Sequence, residues 1–475
     1  MRAAKKLESK LANWKEKAKS RAKALDENKR RIKSLTASRE MWKARFKEQR
    51  RANRALQKQL STSPQQSHTA VRHHTYSAEL IELCLHLRST GGCSYRGCVK
   101  ILQTLILLLH LEFKLPSIWS IRNWEIKYGY HELQSSGRKG DRWVLIIDES
   151  VSIGSQKLLL LLGVNLADYD FESALCHSGV RVLDIRLGKS WKGVAIKAVI
   201  DDVLGRNYEL AYTCCDNGNN LRNALSLSNL THIPDCGHKL GHWLKISYQK
   251  NENFIAFCNA TTHMKQQLIL SKYAEYVPPK HRTKARFLNI SAIIEWANKM
   301  FKVIKRYQRQ KHPPEVLEKL VWLLDYQDLI KKMTLEQELI NRVNEVLKTN
   351  GLSEASSKKC KGYIIESKSC SSLKNYILDY LNSTLDALPE EEQIICSSDV
   401  IESMFGLFKY RNNKSPCSSI TESCLSIANY GNKINKEKVK SAMEKVLIID
   451  LKAWRDKNLP ISVHRKRRKV FQKTG

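Results

Sequence analysis

No two of the thirteen cysteines in this chain of 475 residues stand at CxxC spacing, which removes the usual signature of a structural zinc site or a dithiol redox centre. An odd count without such pairs also argues against a disulfide framework, so the cysteines read as reduced thiols of an intracellular protein. Long apolar runs are missing as well. The longest, Ile101 to Leu115, is shorter than a spanning helix and carries Gln103, His110, Glu112 and Lys114, so it is expected to be a buried helix and not a membrane segment. The chain opens on charged residues with no apolar signal region, an expectation against secretion. Acidic residues are scarce: 47 Asp and Glu against 81 Lys and Arg leave a formal charge of +34. That excess points to a polyanionic partner, with nucleic acid favoured over an anionic membrane.

Glycine and proline are absent from residues 1–61, where 21 Lys and Arg stand against 6 Asp and Glu. A helix follows by default. Two heptad rows run through it, Leu11, Ala18, Leu25, Ile32, Phe46 and Leu60 on one, and Leu7, Trp14, Leu35, Trp42 and Leu56 on the other, interrupted by polar residues such as Asn28 and Arg39. A basic coiled coil that pairs protomers is expected over 1–61. The polar stretch 61–74 with Pro64 reads as a linker, and a helical module is expected over 75–134. Its third helix, "LPSIWSIRNWEIKYGY", sets Ile118, Ile121 and Trp124 on one face and Arg122, Asn123 and Lys127 elsewhere, a pattern suited to the recognition helix of a helix-turn-helix domain or to a plain three-helix domain.

From residue 142 the periodicity changes. Short apolar runs at 143–148, 157–164, 180–187 and 209–215 read as strands, with an amphipathic helix at 192–205 between the third and the fourth. Three strands, a helix, a strand and a helix is the order of a ribonuclease-H-like α/β fold, although other α/β folds begin the same way. Helical periodicity returns over 246–395, with "LEKLVWLLDYQDLIKKM" its clearest stretch and 356–373 expected as a polar loop. A helical segment follows over 396–455, and a basic tail, "HRKRRKVFQK", lies within 456–475.

Asp148 falls where the first strand should end, and Asp216 falls in the matching place after the fourth, ahead of a turn rich in Gly and Asn. In a ribonuclease-H-like sheet those strands are neighbours, so both carboxylates would enter one cleft. Paired carboxylates suit Mg²⁺, a hard ion that keeps its waters; two such ions roughly 4 Å apart can activate an attacking oxygen and stabilise a leaving one. A third acid is expected from a later helix. Glu402 in "SSDVIESMFGLFKYR" is the best candidate, with Ile401, Phe405 and Phe408 packed inward and Glu402, Lys409 and Arg411 reaching the cleft side. Lys409 lies two helical turns beyond Glu402, placed to hold a DNA phosphate. Asp399 competes, but its place near the helix start suits an N-cap. Glu149 alternates away from Asp148 and reads as a bystander.

With these residues in view, the chain resembles the DDE transposases, insertion-sequence enzymes related to retroviral integrases. "LIIDES" and "TCCDNG" match the family's first and second Asp, and "VIESMFGLFKYR" its Glu with a Lys seven residues on. Residues 217–401 are far longer than the integrase spacing and look like the helical insertion domain of some transposases, including the hAT type. "DCGHKLGHWLK" is similar to the Cys/Asp-x-x-His signature of hAT-like enzymes, giving Asp235 and His238 a supporting role, and "KARFLNISAIIEWANK" is similar to the Arg-Trp segment that follows, with Phe287 where Trp is usual. The likeness covers scattered motifs between residues 142 and 411.

The resemblance implies metal-dependent DNA cleavage and strand transfer, with Asp148, Asp216 and Glu402 holding two Mg²⁺ ions for which Mn²⁺ could substitute. No covalent Ser or Tyr nucleophile is then required. Double-stranded DNA, both transposon ends and target, and a second copy of the chain are the implied partners. A bacterial nucleoid-associated location is expected, or a nuclear one in a eukaryotic host. Cys236, His238 and His242 raise zinc as a possibility, but no fourth ligand and no common spacing accompany them. Two other functional readings stand beside transposition: a catalytically inactive, transposase-derived DNA-binding protein, and a ribonuclease-H-like nuclease without strand transfer.

Overall fold

The computed structural model describes residues 69–153, 156–280, 290–412, 420–431 and 434–459, with isolated positions between 14 and 51 and at 470–471; for 150–153 only the backbone is described. The chain divides into two compact units. One comprises Met1–Ala70 and Arg96–Ile118, the other Val71–Tyr95 and Trp119–Gly475.

The heptad positions Leu7, Leu11, Ala18, Ile32, Leu56 and Leu60 lie outside the described residues, as do most of the basic tail and the start of the Arg-Trp segment, 281–289. Trp14, Leu25, Leu35, Trp42 and Phe46 are helical and exposed.

Three helices begin the continuous part: α1 (Ala78–Ser89), α2 (Tyr95–Leu109) and α3 (Ile118–Leu133). Ser77 caps α1 by accepting the Leu80 N–H. The expected burial of the leucine-rich run is corrected. Only Cys98 and Leu102 of α2 are buried, while Leu107, Leu108 and Leu109 are exposed: Arg96, Lys100, Gln103 and Thr104 make the first turns amphipathic, and the leucines fall together in the last turn, which has no core against it.

Strands β1 (Arg142–Ile153), β2 (Gln156–Asn165) and β3 (Arg181–Gly188) lead into α4 (Gly193–Leu204), β4 (Glu209–Cys215), α5 (Asn219–Leu227) and β5 (His232–Pro234). The five strands form one sheet in the order β3-β2-β1-β4-β5. β1, β2 and β3 pair antiparallel, whereas β4 runs parallel to β1 and β5 parallel to β4. Alternation along β1 divides the core. Trp143, Leu145 and Ile147 join Ile196, Val199 and Ile200 of α4 and Leu221 of α5 on one face, and Val144 and Ile146 join the larger core on the other.

Helices α6 (Cys236–Tyr248), α7 (Glu252–Leu268), α8 (Ile290–Gln308), α9 (Val316–Leu320), α10 (Gln327–Asn350), α11 (Glu354–Glu366), α12 (Ser371–Ala387) and α13 (Asp399–Asn412) join the sheet in that larger core; α14 (Lys436–Lys445), whose buried residues lie outside it, and α15 (Ile448–Asn458), which adds Leu451, end the series. The architecture is therefore mixed α/β, one five-stranded sheet with many helices. Two expectations need correction. The stretch read as one helix from 317 is interrupted by 3₁₀ geometry at Val321–Tyr326. The polar loop expected at 356–373 is mostly α11, whose Ser353 N-cap forms a reciprocal capping box with Ser356. Its buried stripe is Ser356, Ser357, Cys360 and Ile364, too polar in composition to give an apolar period.

Helix α3 is not an open recognition surface. Lys127 is buried and donates to the Met443 carbonyl, Arg122 pairs with Glu422 at 2.7 Å, and Asn429 donates to the Glu125 carbonyl at 2.9 Å. Gly129 permits this clamp: a Cβ there would stand 2.0 Å from the Leu425 carbonyl oxygen.

Candidate active site at the strand ends

Just beyond the last β1–β4 pair stand two carboxylates, Asp148 still on β1 and Asp216 immediately after the end of β4. Ile146 is opposite Cys214, so Asp148 and Asp216 occupy equivalent positions where the parallel strands end. Both lie in the alternation of Val144, Ile146, Tyr212 and Cys214, which face the larger core. Glu149 goes the other way and pairs with Lys157 at 3.3 Å. Helix α13 packs against β1 and brings Glu402 to the same side.

Asp148 feels the charge of both other acids. Asp148 is pushed up to about 7, first by burial, then by the negative charges of Asp216 and Glu402. Asp216 also serves its turn, accepting the Gly218 N–H at 2.9 Å through Oδ1. Glu402 is held below the usual carboxylate range by its hydrogen bond with His238, Nε2 to Oε1 at 2.9 Å. The same bond raises His238 to about 9, so the imidazolium donates at neutral pH. Among the described residues, no three His, Cys, Asp or Glu side chains are gathered tightly enough to hold a metal ion as they stand. His242 is exposed and the Cys236 thiol is fully buried.

Asp235 fixes this arrangement from behind. It caps α6, accepting the His238 N–H at 2.7 Å, and its other oxygen accepts the Ser398 N–H at 2.6 Å and the Ser398 hydroxyl at 2.9 Å. One buried carboxylate thus sets both the helix that carries His238 and the start of the helix that carries Glu402. Sequence reasoning gave Asp235 a place but missed Ser398. It also missed Lys348, which comes from α10 to pair with Asp399 and adds positive charge near Glu402. No local motif marks Lys348, because its role depends on how the helical region docks. Asp399 is the first residue of α13 and forms that ion pair.

The basic residues separate. Lys409 is exposed and helps to lower Glu402 electrostatically. Arg411 is withdrawn into the protein, donating to the Ser89 carbonyl at 2.9 Å with its guanidinium 4.8 Å from the Tyr430 ring centre. Its expected place on the cleft side is corrected by geometry: nine positions (411 − 402) at about 3.6 residues per turn is two and a half turns, the opposite face of the helix. Arg122 and Lys127 of α3 are engaged as described above, and Asn123 is partly buried. Beside α13, a cleft of about 880 Å³ includes His177 and Ser403, which are hydrogen-bonded at 3.0 Å.

No protein-family model matches the chain, and no curated protein matches it. Among solved structures, the "Drosophila P element transposase strand transfer complex" aligns with 79% of this chain and 92% of that chain, at 12% identity and a TM-score of 0.37. A likeness at that level carries no argument about function. No helix among the described residues is long and apolar enough to cross a membrane.

Proposed function

We propose that the chain is a DDE-type DNA transposase, with a ribonuclease-H-like core over 142–245 and 396–455 and a helical insertion over 246–395. The observation that carries the reading is the placing of Asp148 and Asp216 each two residues beyond the last pair of the parallel neighbours β1 and β4, with Asp148 raised by the charges of both Asp216 and Glu402. The strand order and directions support the core assignment.

The oxygen donors suit a hard divalent ion. Asp148's raised proton affinity marks negative charge that the neighbouring protein does not balance, the condition a cation relieves. Asp148, Asp216 and Glu402 would hold Mg²⁺, or Mn²⁺ in its place, which supplies Lewis acidity and charge neutralisation at a phosphodiester. Glu402 is held by His238 through Oε1, and its side chain, 55% exposed, has room to turn toward the two aspartates.

The protein's own contribution is alignment. Asp235 holds α6 and α13 together, His238 keeps Glu402 poised, and Lys409 offers a cation to the DNA backbone two turns along the same face. In the first step water attacks a phosphorus at the element's end; the P–O3′ bond breaks and the 3′-oxygen leaves as a hydroxyl. In the second that 3′-hydroxyl attacks a target phosphodiester, and the target's own 3′-oxygen leaves. Neither step needs a covalent enzyme intermediate. The basic segment 1–61 would pair two copies so that two ends are joined together.

Incubation of linear DNA carrying the element's end with the full chain and Mg²⁺, beside an Asp148→Asn control, tests the site. Metal-dependent nicking by the wild type alone is expected. Equal nicking by both proteins overturns the assignment.

A further inference from the structure

Helix α8 is sharply two-sided. Ile293, Ile294, Ala297, Met300, Phe301 and Ile304 are buried in the core. The opposite side exposes Lys299, Lys302, Lys305 and Arg306, continued by Arg309 and Lys311 in the turn that follows. At 100° per residue the cations from Lys299 to Arg309 fall within one third of the circumference. They extend about 15 Å along the axis.

None of these cations has a carboxylate within ion-pair distance among the described residues. Acids in the neighbourhood are Glu295, one turn before Lys299, Glu338 on α10, which lines the same shallow groove as Lys299 and Lys302, and Glu275, which with Arg306 acts on Tyr276. The arrangement is costly for an isolated helix. Lys299 with Lys302, Lys302 with Lys305 and Arg306, and Arg309 with Lys305 and Arg306 are like charges three or four positions apart, each pair unfavourable. The helix dipole favours the cations of the last turn but not Lys299 or Lys302 in mid-helix. The amides in the adjoining groove are engaged within the protein, Asn298 Nδ2 donating to Thr334 Oγ1 at 2.9 Å and Gln337 Nε2 to Asn341 Oδ1 at 2.7 Å, which leaves the cations as the groups turned outward. Cations in a row are the chemistry that meets a sugar-phosphate backbone, which in a duplex carries a charge every ~1.7 Å of axis.

We propose that this face of α8 is a second DNA-contact surface, formed by Lys299, Lys302, Arg306 and Arg309 and separate in sequence from the carboxylate site. The inference rests on the reading that the partner is duplex DNA. It assigns the helical region a phosphate-binding role independent of cleavage.

Binding of the full-length protein to a random-sequence DNA duplex, followed by fluorescence anisotropy over a range of salt concentrations, tests it. The stripe variant is Lys299→Gln, Lys302→Gln, Arg306→Gln and Arg309→Gln together. A charge-matched control changes exposed lysines elsewhere: Lys358→Gln, Lys359→Gln, Lys445→Gln and Lys452→Gln. Surface changes of this kind leave stability within about 0.5 kcal/mol per site, which circular dichroism and thermal melts verify. The slope of log K against log salt is expected to become shallower in the stripe variant by about 0.9 for each phosphate left unneutralised, about 3.6 for all four, with the control near wild type. Equal slopes in stripe variant and control overturn the inference and leave the DNA reading standing. Failure of the wild type to bind duplex DNA overturns both. Equal loss of binding to polyglutamate assigns the stripe to an acidic protein and overturns the choice of DNA.

Discussion

His238 Nε2 lies 2.9 Å from Glu402 Oε1, an imidazolium from the helix after the fifth strand holding the carboxylate that faces two aspartates at the strand ends. The bond moves both partners, His238 up to about 9 and Glu402 downward. For a base raised in the folded state, its stabilisation is complete below the unfolded value near 6.5 and is lost as pH rises through about 9. For Glu402 it is complete above 4.5 and lost as pH falls through the lowered value. An NMR titration of the His238 ring in metal-free protein should therefore have its midpoint near 9, and in Glu402→Gln the midpoint should fall toward 6.5. A midpoint unmoved by that substitution contradicts the pairing.

Asp148, also raised, follows the same sign as His238. A carboxylate raised to about 7 contributes stability that is present below 3.8 and is lost as pH rises through about 7. Asp148→Asn should accordingly stabilise the metal-free protein at pH 8, by roughly 2–4 kcal/mol, and have little effect near pH 4. Urea unfolding at the two pH values measures it. Saturating Mg²⁺ should stabilise the wild type, because an ion that binds only the folded state adds RT ln(1 + [L]/Kd), and should stabilise the variant much less.

Gly129 reports on the clamp around α3. A methyl group at that position meets the Leu425 carbonyl oxygen at 2.0 Å, a contact that only backbone movement can relieve. Gly129→Ala should cost about 3 kcal/mol or more, beyond the ~1 kcal/mol a glycine-to-alanine change normally gains inside a helix. Chemical denaturation decides it; a neutral or stabilising result would show that α3 and the 422–429 turn do not pack this closely.

What the sequence made legible depended on period. The two-residue alternation of β1 and β4 located Asp148 and Asp216 and separated Glu149, and the seven-residue step located Lys409 from Glu402. What it hid was paired polarity. Lys127 and Arg122 look like groove-reading cations until Met443 and Glu422 are found against them. Ser356, Ser357 and Cys360 look like a loop although they line the buried side of α11. Lys348 and Ser398 join the site only through the docking of α10 and the chain ahead of α13, which no local pattern encodes.

The most direct test of the central claim separates joining from cutting. A duplex ending in the element's terminal sequence, already nicked to expose its 3′-hydroxyl, is mixed with target plasmid, Mg²⁺ and wild-type protein, Asp148→Asn, Asp216→Asn or Glu402→Gln, and the covalently joined product is measured on a denaturing gel. The wild type is expected to join the strand and each variant to lose at least a hundredfold of that activity. Joining that persists in all three variants, or a wild type that cuts but never joins, would contradict the account.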